Sequence, residues 1–169
     1  MWCVMHVEGG REAGEEAFLR GLLPRELEAS CFHLVRNRRK KYGGKWRTVC
    51  ENLMPGYVFI HTDQPEAVCR ELKKVPGKEL LYGGGECVTA LERQEAEFME
   101  RITDEDGIIG VSKVEVTGEG QVRYLSGPLV NVSHMVRRVD LHRRIAEVET
   151  QFMGEKHVLY LGIEIERQK

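Results

Sequence analysis

Between Asp104 and Gly120 the chain reads DEDGIIGVSKVEVTGEG, a stretch with four glycines and no helical stripe. Glycine in an element interior loses more backbone freedom than any other residue, so this run disfavours a continuous helix and suits a connector holding one short strand. It separates two parts of a 169-residue chain that obey different periods. Ahead of it, apolar residues recur at helical spacing; behind it, strand-length runs alternate with turn signals. The expected organisation is a domain over 1–104, a linker over 105–118 and a second domain over 119–169. With 41% hydrophobic residues, each part can bury a modest core.

The front part opens on MWCVMHV, a short strand ended by Gly9-Gly10. In REAGEEAFLRGLL, Phe18 and Leu22, and Leu19 and Leu23, stand four apart, which predicts an amphipathic helix stopped by Pro24. CFHLVRNRRKKY and KWRTVCENL predict the two strands of a hairpin that turns at Gly43-Gly44. PGYVFIHT supplies a continuous apolar strand. Asp63 is placed to cap a second helix, PEAVCRELKKV, with Pro65 in its first turn and Val68, Leu72 and Val75 on one stripe. Thr89 and Glu92 fit a capping box for a third helix, whose buried face holds Leu91, Phe98 and Ile102. The fold expected here is α+β, an antiparallel sheet with flanking helices.

Behind the linker, HVLYLGIEI alternates cleanly, and the strand-length runs predict a small all-β barrel. DLHRRIAEVETQF satisfies two periods. Leu141, Ile145, Val148 and Phe152 make a helical stripe, whereas Ala146, Val148, Thr150 and Phe152 make one face of a strand. Gly127-Pro128 and Gly154 break any long helix, and HVLYLGIEI needs a neighbouring strand, so a stable barrel is the expectation.

Charge is distributed unevenly. The chain carries a formal charge of -2, yet the twelve residues RNRRKKYGGKWR hold seven basic side chains and no acidic one. A near-neutral protein does not coat nucleic acid indiscriminately, so any such contact must be local. Five cysteines without a CxxC spacing and no run approaching a membrane span point to a cytoplasmic protein. No histidine has a second ligand at metal spacing, YGGGE is followed by no GKS or GKT, and no nucleophile sits in a recognised setting. No cofactor, metal or enzymatic activity is expected.

The order of strand, helix, basic hairpin, PGYVFI, helix, VPG at Val75 to Gly77, TALERQEAEF and a β module with GPLVNVSHMVRRVD resembles the NusG family of transcription factors over nearly the whole chain. GPL, VDLHRRIAEVETQF and LGIEI are more similar to the specialised antiterminator paralogues, such as LoaP, than to the housekeeping factor. The resemblance implies an NGN domain in front and a KOW barrel behind. It implies a monomer that binds the clamp helices of the largest RNA polymerase subunit through an apolar surface, here His6, Met54, Pro55, Tyr57 and Phe59. A structured leader RNA hairpin and non-template DNA are the implied nucleic-acid partners. Arg36, Arg38, Arg39, Lys40, Lys41, Lys45 and Arg47 on the first hairpin would face them, with Tyr42 and Trp46 for stacking. Arg137, Arg138, His142, Arg143 and Arg144 form a second cluster in the KOW part. The other implied readings are a general elongation factor coupling to the ribosome or Rho, with Phe152 only loosely matching the loop that makes those contacts, and a ribosome-associated KOW module.

Overall fold

A computed structural model describes residues 1–75 and 88–167. The VPG and YGGGE motifs therefore lie wholly or largely outside the described residues. The chain divides into two compact units, Met1–Leu34 with Met54–Ala96, and Val35–Leu53 with Glu97–Lys169.

In the first unit, β1 (Trp2–His6), β2 (Ser30–Phe32), β5 (Tyr57–His61) and β6 (Thr89–Ala90) form an antiparallel sheet in the order β2-β5-β1-β6. Helices α1 (Glu12–Leu22) and α2 (Pro65–Lys73) fall where the apolar spacing puts them. Strand period gives the sheet two faces. Cys3, Met5, Cys31, Val58 and Ile60 point to one and pack with Leu19 of α1, Val68 and Leu72 of α2, and Val88. Trp2, Val4, Phe32 and Phe59 point to the other and are buried as well.

Capping departs from expectation in two places. Gln64, not Asp63, precedes α2; Asp63 lies exposed near the N-terminal ammonium at 3.4 Å. The Thr62 hydroxyl instead accepts the Gln64 N–H at 3.0 Å. Thr89 is taken up by β6, so the N-cap of α3 (Arg93–Ile102) moves three residues on, to Glu92. There the Glu95 carboxylate reaches back to the Glu92 N–H at 3.0 Å, half of a capping box in a shifted register.

The second unit joins segments that the sequence keeps far apart. β3 (Val35–Tyr42) and β4 (Lys45–Asn52) form the basic hairpin, closed by Gly43 and Gly44 at φ +55° and +80°, the two positive values a type I′ turn requires. β3 also pairs in parallel with β7 (Ile108–Ile109). CFHLVRNRRKKY is thus two strands in two sheets, broken at His33-Leu34. β8 (Ser112–Val116), β9 (Val122–Ser126), β10 (Val136–Asp140), β11 (Ile145–Phe152) and β12 (Glu155–Ile165) make a five-stranded sheet ordered β10-β11-β12-β8-β9. The expected linker over 105–118 contains β7 and β8. A short helical turn, Leu129–Val132, interrupts the strands.

For DLHRRIAEVETQF the strand period holds. Ala146, Val148, Thr150 and Phe152 are buried along β11, which pairs with β12 over its whole length, whereas Leu141 sits in the preceding turn. A register with eight backbone partners satisfies polar groups that a helix here would have to satisfy alone.

Candidate functional site

The proline-glycine turn before β5 is held from a distance. Gly56 sits at φ +89°, the left-handed value that position i+2 of a type II turn needs. Its N–H donates to Glu12 Oε1 at 2.7 Å, and its carbonyl accepts the Val7 N–H at 2.8 Å. Glu12 is 4% exposed and also accepts the Gly10 N–H, at 3.0 and 3.2 Å to its two oxygens. Burial opposes its ionisation, but the backbone donors at Gly56, Glu12 itself and Gly10 outweigh burial and hold the carboxyl below its ordinary range. Sequence reasoning missed this residue. An acid in a first helical turn looks like a helix-dipole partner, and no local signal ties it to a turn 44 residues away.

The expected apolar surface separates into two classes. His6 and Tyr57 are direct cross-strand partners, their rings 4.6 Å apart and edge-on, with His6 exposed and Tyr57 half-buried. Pro55 beside them is exposed. Phe59 is not: it is 0% exposed and stacks on Phe32 at 6.3 Å, while Phe32 meets Trp2 edge-on at 5.3 Å. Met54 is 6% exposed. Alternation puts Tyr57, Phe59 and His61 on one face, which is buried at its centre and open at its ends, at His6 and Tyr57 near the turn and at His61 beyond Phe59. Phe59 and Met54 are core residues in this structure, and the open rim is His6, Pro55 and Tyr57.

Register also sorts the basic hairpin. Arg36, Arg38, Lys40, Arg47 and Lys45 share one face with Glu51, because directly paired residues of antiparallel strands point the same way. Three of these cations converge on that carboxylate, Lys40 at 3.1 Å, Arg38 at 3.5 Å and Arg36 at 3.9 Å. Arg36 also donates to the Tyr160 carbonyl of β12. The arginine side chains are only 14% and 12% exposed, and their buried Nε atoms and Glu51 Oε1 have no hydrogen-bond partner among the described residues. Burial, partly offset by Glu51 and reinforced by Arg38, lowers the pKa of Arg36. On the other face Arg39 bonds the Thr48 hydroxyl at 2.9 Å and approaches Glu164 at 3.9 Å. Lys41, Tyr42, Lys45 and Arg47, around the turn, stay exposed.

The hairpin meets β12 through Arg36 at the Tyr160 carbonyl, through Arg39 at Glu164 and, most closely, at Gly162. A Cβ on Gly162 would lie 2.4 Å from the Asn37 carbonyl oxygen and 2.8 Å from the Arg38 Cα, so no other residue fits without moving the backbone. Close by, the Arg144 guanidinium lies 4.9 Å from the Trp46 ring centre, a cation–π contact. Arg144 therefore leaves the rest of its cluster to join the hairpin. Arg137 pairs with Glu149 at 3.2 Å, whereas Arg138, His142 and Arg143 are exposed around the β10–β11 turn. Asp140 organises that turn by accepting the Arg143 N–H at 2.9 Å; this bond and the nearby cationic charges outweigh its desolvation and lower its pKa.

The first unit thus pairs an aromatic rim with a proline-glycine turn, and the second carries a basic hairpin. Residues 1–100 match the NusG family model, described as transcription termination factor nusG. That match covers more than half of the chain, which belongs to the NusG family, one of transcription elongation and antitermination factors whose members generally bind RNA polymerase. No curated protein matches the chain. Among the described residues no helix is long and apolar enough to cross a membrane.

Proposed function

We propose that this chain is a specialised antiterminator of the LoaP kind, which holds RNA polymerase through the His6–Pro55–Tyr57 rim and a structured leader RNA through the exposed cations of its C-terminal unit. The observation that carries the polymerase reading is the His6–Tyr57 pair: two aromatic rings beside the proline-glycine turn, at one end of a sheet face whose centre is buried, within the matched residues. Partly exposed aromatics of this kind are the residues that dominate interface energies. The clamp helices of the largest subunit, an apolar helix pair, are the partner this rim suits. The sheet β10-β11-β12-β8-β9 is read as the KOW-type barrel that accompanies it. Lys41, Lys45 and Arg47 at the hairpin turn, with Arg138, His142 and Arg143 at the β10–β11 turn, are the exposed cations left for phosphates. Phe152 is 4% exposed and packs on His157, so it offers no apolar loop of the sort that would couple the chain to Rho or the ribosome.

Polymerase binding by the full chain tests the first half. Tyr57→Ala should weaken it by roughly 2 kcal/mol with the thermal transition kept, and normal binding by a folded Tyr57→Ala chain would remove the rim from the reading. RNA binding should fall with salt at a log-log slope of about -0.7 per phosphate contacted. A salt-independent affinity would contradict the second half.

A further inference from the structure

An open pocket of about 140 Å³ lies in the C-terminal unit, lined by Arg39, Trp46, Arg144, Glu164, Ile165 and Arg167. One water needs roughly 10–15 Å³, so there is room for a planar base. The wall is built rather than incidental. Arg144 adopts φ +57°, a backbone state costly for an arginine, and is fixed there by its carbonyl accepting the Ile163 N–H at 3.0 Å and its guanidinium donating to the Leu141 carbonyl at 3.0 Å. Its guanidinium lies on Trp46, with Lys41 Nζ 5.9 Å from the same ring centre. Burial and then the charge of Arg167 lower the Arg144 pKa.

Glu164 decides what such a pocket can take. Its carboxylate is 45% exposed and only 3.9 Å from Arg39 Nε, a loose pair. A site for a bare phosphate gains nothing from a carboxylate, which repels the ligand. A nucleobase edge is different. Guanine presents two parallel donors, N1–H and the N2 amino group, that match a carboxylate, and two acceptors, O6 and N7, that match a guanidinium. Adenine turns an acceptor at N1 toward the carboxylate, cytosine does so at N3, and uracil flanks its single donor with two carbonyls. Unpaired bases stack on aromatic rings and on guanidinium planes, and here Trp46 and Arg144 are already stacked.

We propose that this pocket takes one unpaired guanine of the bound RNA, with Glu164 accepting from its Watson–Crick edge, Arg39 or Arg167 donating to O6 and N7, and the Arg144–Trp46 pair supplying the stacking surface. This rests on the RNA-binding reading above and adds to it a base and a seat.

The test uses the full chain and labelled five-nucleotide RNAs, UUGUU, UUAUU, UUCUU and the inosine analogue UUIUU, followed by fluorescence anisotropy at low salt. Guanine should bind about tenfold tighter than adenine, with inosine, which lacks the N2 amino group, between them. Glu164→Gln, at an exposed carboxylate, should leave the melting temperature in place and bring guanine and adenine within about threefold of each other. Trp46→Ala should weaken every oligomer by about tenfold while keeping the guanine preference. Equal binding of guanine and adenine by the unaltered chain, or a guanine preference that survives Glu164→Gln, overturns the proposal. Binding of a structured RNA without binding of any oligomer also overturns it and leaves the RNA reading standing. If neither is bound, both fall.

Discussion

Strand β5 and the β3–β4 hairpin carry the two groups of expected contact residues, and they differ in what decides whether a residue faces outward. On β5 the sorting is apolar. Tyr57 and Phe59 point the same way, yet one is half-buried at the end of the sheet and the other is 0% exposed in a row of rings. On the hairpin the sorting is electrostatic. Arg36, Arg38 and Lys40 share Glu51, with Lys40 reaching back from the level of its cross-strand partner Arg47, whereas Lys41, Lys45 and Arg47 remain exposed. A residue type names a capacity for contact; its place along the strand decides whether the capacity is spent inside the fold.

The largest test of this contrast is Phe59→Ala, which should cost about 3–5 kcal/mol of stability because a fully buried ring leaves a cavity, while Tyr57→Ala should cost far less. Urea unfolding of the two variants measures it, and equal losses would erase the distinction drawn along β5. Next comes Glu12→Gln, expected to cost roughly 1.5–3 kcal/mol by weakening charge-assisted bonds to the Gly56 turn. Because the folded carboxyl sits below its ordinary range, this contribution is present above the unfolded value of about 4.3 and is lost as pH falls through the folded value. Melting temperatures of parent and variant should therefore converge in acid; a gap that persists once the folded carboxyl is protonated would assign the effect to packing instead.

A smaller effect, on the order of 1–2 kcal/mol, is expected for Glu51→Gln, since three cations lose their shared carboxylate at a site that water partly reaches. Hydrogen exchange confined to β3 and β4 would report it. Smallest is the double change Lys45→Ala and Arg47→Ala, which should alter stability by less than about 0.5 kcal/mol. The same change should reduce the salt slope for RNA by one to two phosphate contacts, about 0.7 each. An unchanged slope would show that the hairpin turn meets no phosphate.

The helices were legible because apolar spacing is a local property: Leu19, Val68 and Leu72 are buried as their period requires. Caps were less so. Thr89 has the right chemistry for a helix start, but β1 offers it a strand partner first, and the start moves to Glu92. The segment ending in Phe152 satisfied two periods, and a distant partner, β12, chose between them. For the candidate site, the segments and residue types were visible in the sequence, whereas the burial of Phe59 and Met54, the reach of Glu12 to Gly56, the trio on Glu51 and the passage of Arg144 to Trp46 all depend on contacts between residues far apart in the chain. No pattern within one segment encodes these.

Gly162 makes the hairpin a lever. The strand β12 bears on Asn37 and Arg38, and from there β3 runs five or so residues to its turn, an arm of roughly 17 Å at about 3.4 Å per residue. The arm is also held further out, by Arg39 at Glu164 and by the Arg144 guanidinium over Trp46, while the turn itself is exposed. Lengthening each strand by two residues would extend the reach by about 7 Å and keep every side chain on its face, since two residues are one strand period. Hairpin length is thus a dimension in which relatives can differ in what they touch without altering either sheet.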